Sequence, residues 1–89
     1  MKNQPVHTID EFWPVRVAIF ANEGGDSGRR FYSAVPTVSY KNDRGWQDGG
    51  SFSESNGDSF RLEKAMHAAN VWIATQKKRD HADTARATA

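Results

Sequence analysis

The chain has 89 residues, a formal net charge of +1, 37% hydrophobic residues and no cysteine. Its length leaves room for one small domain, which excludes barrel enzymes and full dinucleotide-binding folds. The lack of cysteine excludes disulfides, cysteine-based zinc sites and thiol nucleophiles. An aromatic content of 11% is too high for a disordered chain, so we expect most of it to fold.

The first 12 residues are mostly polar and are predicted to form an N-terminal arm, with a short strand around residues 6–9. They lack the apolar segment that a signal peptide requires. The longest apolar runs of the chain span only a few residues, which is too short to cross a bilayer. Together with the absence of cysteine, these features predict a cytoplasmic protein.

Two segments, residues 13–22 and 30–40, have the two-residue period of β-strands. The segment between them, residues 23–29, contains three glycines and predicts a hairpin connection. Pro36 has no amide hydrogen for a sheet ladder. The second strand is therefore predicted to lie at an edge of the sheet or to be bulged at Pro36.

Shorter elements follow the turn at residues 41–45. Residues 46–48 and 51–53 are interpreted either as two short strands separated by Gly49 and Gly50 or as one kinked strand. The chain then changes to a helical period.

The helix is predicted over residues 59–79, with Asp58 or Ser59 as its N-cap. Its apolar stripe recurs at three- and four-residue spacing through Leu62, Ala65, Met66, Ala69, Trp72, Ile73 and Gln76. Residues 80–89 continue without such a stripe and are predicted to form a disordered tail.

This order of elements predicts an α+β fold: a twisted antiparallel sheet of about four strands, followed by one C-terminal helix packed on one face. The single domain is predicted to cover residues 13–79. The strand face of Val15, Val17 and Ile19 is expected to meet the apolar stripe of the helix.

Aromatic residues interleaved with cations are the most informative functional feature. One helix cannot cover both faces of a four-stranded sheet, so some rings are expected to be exposed or covered by a partner. Exposed rings stack on unpaired bases while cations meet phosphates, as in single-stranded nucleic-acid binding. The predicted contact set is Arg16, Phe20, Arg30, Tyr32, Tyr40, Lys41, Arg44 and Trp46.

The alternative hypothesis is a protein–protein interaction module that uses the aromatic sheet face or the helix stripe. No catalytic constellation, phosphate-binding loop or metal-ligand pattern is recognisable, so we expect a non-enzymatic protein with no cofactor and no metal. The helix stripe and its small alanines also predict a homodimer formed through helix 59–79, because the core of so short a chain is modest.

The two long strands, the turn KNDRG, the short segments WQDGGSFS and the helix from Ser59 resemble the single-stranded-DNA-binding coactivators of the positive cofactor four type. The resemblance lies in element order and spacing and covers about residues 13–76. It implies a four-strand-plus-helix unit that dimerises through its helices and grips single-stranded DNA or RNA across its sheet. Such a protein would be an accessory to transcription or replication. The stretch from Ala21 to Ser53 is also similar to a group of small uncharacterised bacterial proteins.

Overall fold

The computed structural model describes residues 4–24 and 29–88. They form one antiparallel sheet with the strand order β1-β2-β3-β4, and one helix follows the sheet in sequence. This confirms the predicted α+β class. The elements are β1 (His7–Phe12), β2 (Val15–Gly24), β3 (Arg29–Asn42), β4 (Gly45–Gly49) and α1 (Asp58–Thr88).

The four strands are not the four that the sequence predicted. The N-terminal segment supplies β1, a full strand that pairs with β2, whereas the predicted strand at residues 51–53 is absent. β1 overlaps the short strand predicted around residues 6–9 but continues to Phe12. Ile9 is its only buried residue, so its hydrophobic alternation is weak and does not reveal its full length. The segment after β4 instead turns toward the helix, and the amide of Asp58 donates to the carbonyl of Ser53 at 2.9 Å.

β3 lies between β2 and β4 although it contains Pro36. β4 pairs only with residues 38–42, so Pro36 lies beyond its end. Pro36 is opposite Val17 of β2, without a bulge. The proline therefore occupies a stretch of β3 that is locally an edge, which is where a residue without an amide hydrogen is tolerated.

The β2–β3 connection is a hairpin, because Gly24 pairs with Arg29. The centre of the predicted loop, residues 25–28, lies outside the described residues.

The core lies between α1 and the face of the sheet that packs against this helix. Val15, Val17 and Ile19 of β2 are fully buried there. Ala65 and Ala69 of α1 are also fully buried, and these small side chains let the helix approach the sheet closely. The stripe predicted for the helix is thus packed against the chain's own sheet. Leu62, Met66, Trp72 and Ile73 complete this contact around the buried residues.

The helix begins at Asp58, and its cap is one residue before the predicted N-cap candidates Asp58 and Ser59. The carbonyl of Gly57 accepts the amide of Arg61 at 3.1 Å, so Gly57 holds the cap position. Gly57 has a φ of 78°, a left-handed conformation that side chains with a Cβ rarely adopt. Asp58 lies in the first turn, where a carboxylate is favoured by the helix dipole.

An aromatic contact ties α1 to two strands. The ring of Trp72 stacks on His7 of β1 at a centroid distance of 4.9 Å and meets Tyr32 of β3 edge-on at 5.9 Å. The Tyr32 hydroxyl donates a hydrogen bond of 2.7 Å to the Asp80 carboxylate. Asp80, predicted as the start of a tail, is therefore helical and docked on the sheet.

α1 continues to Thr88. The predicted helix ends at residue 79 because the apolar stripe stops there. Residues 81–88 contain three alanines, the residue type with the highest intrinsic helix propensity, and this propensity needs no apolar stripe.

We predict that Ile19→Ala lowers the free energy of unfolding by about 2–5 kcal/mol, since it removes a fully buried aliphatic side chain from the core. Chemical denaturation measures the change. Val71→Ala is the control, because Val71 is exposed on the helix and its loss should change stability by less than about 0.5 kcal/mol. Equal effects of the two substitutions would contradict the assigned core.

The hydrogen bond to the Asp80 carboxylate, together with partial burial, raises the pKa of Tyr32 above 10.0. Because the folded pKa is raised, the stabilisation of the neutral hydroxyl is complete below pH 10 and is lost as the pH rises through the raised value. We therefore predict that the stability advantage of the wild type over Tyr32→Phe is constant below about pH 10 and shrinks over the pH range above it.

Denaturation series at several pH values test this, and Asp80→Asn should weaken the same pH dependence because it removes the acceptor's charge. A stability difference that stays constant through this pH range would show that the hydroxyl is not held by Asp80.

Candidate functional site

α1 covers one face of the sheet, and we call the opposite face the open face. The strand register decides which residues it carries, because side chains alternate between the two faces of a strand. The open face carries Thr8 of β1; Arg16, Ala18, Phe20 and Asn22 of β2; Phe31, Ser33, Val35, Thr37, Ser39 and Lys41 of β3; and Trp46 and Asp48 of β4.

The chain has a large surface for its mass. It exposes 6924 Å², whereas a compact monomer of its mass exposes about 5,200 Å². The difference, about 1,700 Å², exceeds the roughly 800 Å² that one partner contributes to a standard interface. The molecule is elongated, 57 × 29 × 16 Å, so this excess is spread over the whole chain and includes the long helix as well as the open face.

Two tryptophans mark one end of the open face. Trp13, in the β1–β2 turn, and Trp46, on β4, have ring centroids 6.0 Å apart and planes tilted by 60°. They remain 55% and 62% exposed, respectively. With Arg16, Ser39 and Asp48 they form what we call the tryptophan cluster.

A polar network holds this cluster together. The Arg16 guanidinium lies 5.6 Å from the Trp13 ring centroid, and its Nη2 is 3.1 Å from Asp48 Oδ1. Ser39, only 6% exposed, donates to the same Asp48 oxygen at 2.9 Å and accepts from Arg16 at 3.3 Å. Arg16 Nε is buried with no hydrogen-bond partner among the described residues. The network fixes Arg16 against Trp13 and gives the cluster a defined shape.

The charges of the cluster nearly cancel. Arg16 and Asp48 form an ion pair whose side chains are 35% and 61% exposed, and such pairs contribute little to stability. Lys41 stands directly across from Trp46 in the ladder and is exposed. It forms no ion pair with another described residue, so it is the free cation beside the rings.

The other end of the open face is apolar. Phe31 and Val35 are 56% and 44% exposed, and Phe20 is half-buried beside them. Along β3, Val35 lies four residues from Ser39 of the tryptophan cluster and Phe31 lies eight, which corresponds to about 13 Å and about 26 Å. The open face thus has two distinct regions.

The eight residues predicted to contact nucleic acid do not share one surface. Arg16, Phe20, Lys41 and Trp46 lie on the open face, as a common platform requires. Arg44 lies in the β3–β4 turn, where its amide donates to the Asn42 side chain at 2.8 Å. The remaining three lie on the other side of the sheet.

Arg30, Tyr32 and Tyr40 are even-numbered residues of β3 and point to the face that α1 covers. Tyr32 packs on Trp72, and the Tyr40 ring lies over Gly49, where an added Cβ would come within 3.0 Å of it. The sequence showed the alternation within each strand. It did not show the register between strands, which decides the face of β3 that joins Arg16 and Phe20.

Three residues of the tryptophan cluster are absent from the predicted contact set: Trp13, Ser39 and Asp48. No local pattern in the sequence marks them as members of one site. These residues come together only through contacts between neighbouring strands. Arg16 of β2, Ser39 of β3 and Asp48 of β4 lie side by side, and no local pattern encodes that arrangement.

Other candidate sites within residues 4–24 and 29–88 are weak. A shallow cleft of about 450 Å³ lies beside the helix, lined by Phe12, Phe60, Glu63, Lys64, His67 and Ala68. The described residues contain no group of three or more acidic, histidine or cysteine side chains that could hold a metal ion. None of their helices is both long and apolar enough to cross a membrane.

Comparison with known proteins finds no matching family model, no matching curated protein and no matching solved structure. The function is therefore argued from the geometry of the open face alone.

Proposed function

We propose that this protein binds single-stranded nucleic acid on its open face, at the tryptophan cluster, without catalysing a reaction. The observation that carries the proposal is the pair of exposed tryptophan rings, held in place on an uncovered sheet beside a free cation.

Stacking supplies the main attraction in this proposal. A base that stacks on an aromatic ring contributes about 1–3 kcal/mol, and every base has a flat face to offer. Arg16 occupies one face of Trp13, so Trp46 is the more open of the two rings. Because the rings are tilted by 60°, they suit two successive bases of a bent strand better than one base between them.

Single strands fit this surface better than duplexes. Paired bases keep their faces inside the helix, and only unpaired bases can turn them onto protein rings. Lys41 and Arg44, both exposed near Trp46, would meet the phosphates of the bound strand. With the formal net charge at +1 and Asp48 within the cluster, the affinity is expected to be modest.

The second candidate function is protein binding, and the apolar end of the open face favours it. Phe31 and Val35 are exposed there without a described cation among their cross-strand neighbours Asn22 and Ala18. Tryptophan and arginine are also common at the energetic centres of protein interfaces. Salt separates the two functions, since phosphate contacts weaken steeply with salt and apolar contacts do not.

We predict that an oligo-thymidine strand quenches tryptophan emission and binds better than duplex DNA, and that Trp46→Ala weakens binding by about 1–3 kcal/mol. A fluorescence titration at low salt measures both effects. Phe60→Ala is the matched control, because Phe60 is 61% exposed, close to the 62% of Trp46, but lies on the helix away from the open face. Loss of binding in both variants would place the site elsewhere.

The absence of binding to any single strand at about 50 mM salt and tens of micromolar protein would overturn the nucleic-acid proposal. Protein binding would then be the better account of the open face.

Charge at Asp48 provides a further test. We predict that Asp48→Asn strengthens single-strand binding and makes it more sensitive to salt, because it removes a negative charge beside the strand and frees Arg16 for a phosphate. Fold stability should fall by no more than about 1 kcal/mol, since the ion pair is largely exposed. Binding that weakens on this substitution would indicate a ligand that needs the carboxylate.

A further inference from the structure

The outer edge of β3 is unpaired along half its length. β4 pairs with residues 38–42, and no described strand pairs with that edge between Arg30 and Pro36. Unpaired backbone groups in such a row are a template for another strand.

The ladder shows which amides of this edge point outward. The Ser39 amide donates to the Pro14 carbonyl at 2.9 Å, so odd-numbered residues of β3 direct their amides to β2. The even-numbered residues Arg30, Tyr32 and Ala34 therefore direct theirs away from β2. Pro36 is the next even-numbered residue with an outward backbone group, and because it has no amide hydrogen it presents only its carbonyl at this edge.

The opposite edge of the sheet is protected against pairing, whereas this one is not. On β1, Asp10 and Glu11 are exposed charges, and the register shifts between Ile9 and Phe12. Charges and bulges are the usual means of blocking an edge. On β3, residues 31–35 carry no charge, and Phe31 and Val35 are exposed.

We propose that a second copy of this chain pairs with this edge, antiparallel, with residues 30–36 of both copies in contact and the two-fold axis at Ser33. The outward amides then fall into register, since Tyr32 lies opposite the partner's Ala34 and exchanges both backbone hydrogen bonds with it. The Arg30 amide donates to the carbonyl of the partner's Pro36. The missing proline hydrogen falls at the end of the ladder, where its cost is lowest.

A second copy fits this edge because the segment complements itself. Phe31 lies opposite the partner's Val35, and the pair occurs twice, which covers exposed apolar side chains on the open face. Arg30 lies opposite a proline rather than an arginine, so no like charges meet. The paired segment of the partner ends opposite Pro36. It therefore does not overlap β4, which pairs with the same edge of β3 only from Val38 onward.

The two-fold axis of an antiparallel pair is perpendicular to the sheet. Both helices therefore lie on one side, and both open faces lie on the other. The result is a continuous eight-stranded sheet. This dimer does not depend on nucleic-acid binding by the open face.

Ser33→Cys tests the register directly, because the chain has no other cysteine. At the axis the two Ser33 positions form a non-hydrogen-bonded pair with Cα atoms about 4.5 Å apart, within the range of a disulfide. Mild oxidation should yield a covalent dimer. Thr8→Cys, exposed on the same face but located on β1 at the opposite edge of the sheet, is the control and should stay monomeric.

Sedimentation of the wild type and of Ser33→Arg tests the interface without a cross-link. The wild type should dimerise with rising concentration, and two arginines at the axis should raise the dissociation constant by more than about tenfold. Ser33 is exposed, and its side chain accepts a long hydrogen bond of 3.4 Å from Asn22, so the variant should still fold, as thermal unfolding will verify.

Thr8→Arg should dimerise as the wild type does. A wild type that sediments as a monomer at all concentrations would overturn the proposal. So would a dimer that Val71→Arg on the helix disrupts and Ser33→Arg does not.

Discussion

A single helix can cover only one face of a four-stranded sheet, and most features of this protein follow from that limit. Four strands spaced about 4.8 Å apart are wider than one helix, so α1 packs on β1, β2 and β3 and leaves Tyr40 of β3 exposed even on its own side. Val15, Val17 and Ile19 of β2, directly beneath the helix, are fully buried. Nothing in the described chain covers the other side, and the aromatic residues there remain in contact with solvent.

The fold class was predictable because its signals are local. The two-residue period of β2 and β3 and the three- to four-residue period of α1 can each be seen within about ten residues. β1 was harder to recognise, since one buried isoleucine among polar neighbours gives no period. Pro36 suggested an edge, and it does occupy one, but only because β4 is shorter than the strand beside it.

The candidate site was only partly predictable because it depends on relations between strands. Arg16 and Trp46 could be chosen as an exposed cation and ring, yet their neighbours Ser39 and Asp48 come from strands whose register the sequence does not state. The same register sends Tyr32 and Tyr40 to the helix side, although they resemble stacking residues as much as Trp46 does. A shift of one residue in the pairing of β2 and β3 would have exchanged the two sets.

The unequal lengths of the strands also have a consequence for how the molecule opens. β1 reaches only to the level of Ile19 and β4 only to Val38, so the far half of the β2–β3 hairpin extends as a two-stranded ribbon. An isolated ribbon of two strands is marginally stable in water. Its attachment to the body of the protein is the contact of Tyr32 with Trp72 and Asp80. Hydrogen exchange should therefore be graded along each strand, with fast local opening at the ribbon and slow global opening beneath the helix.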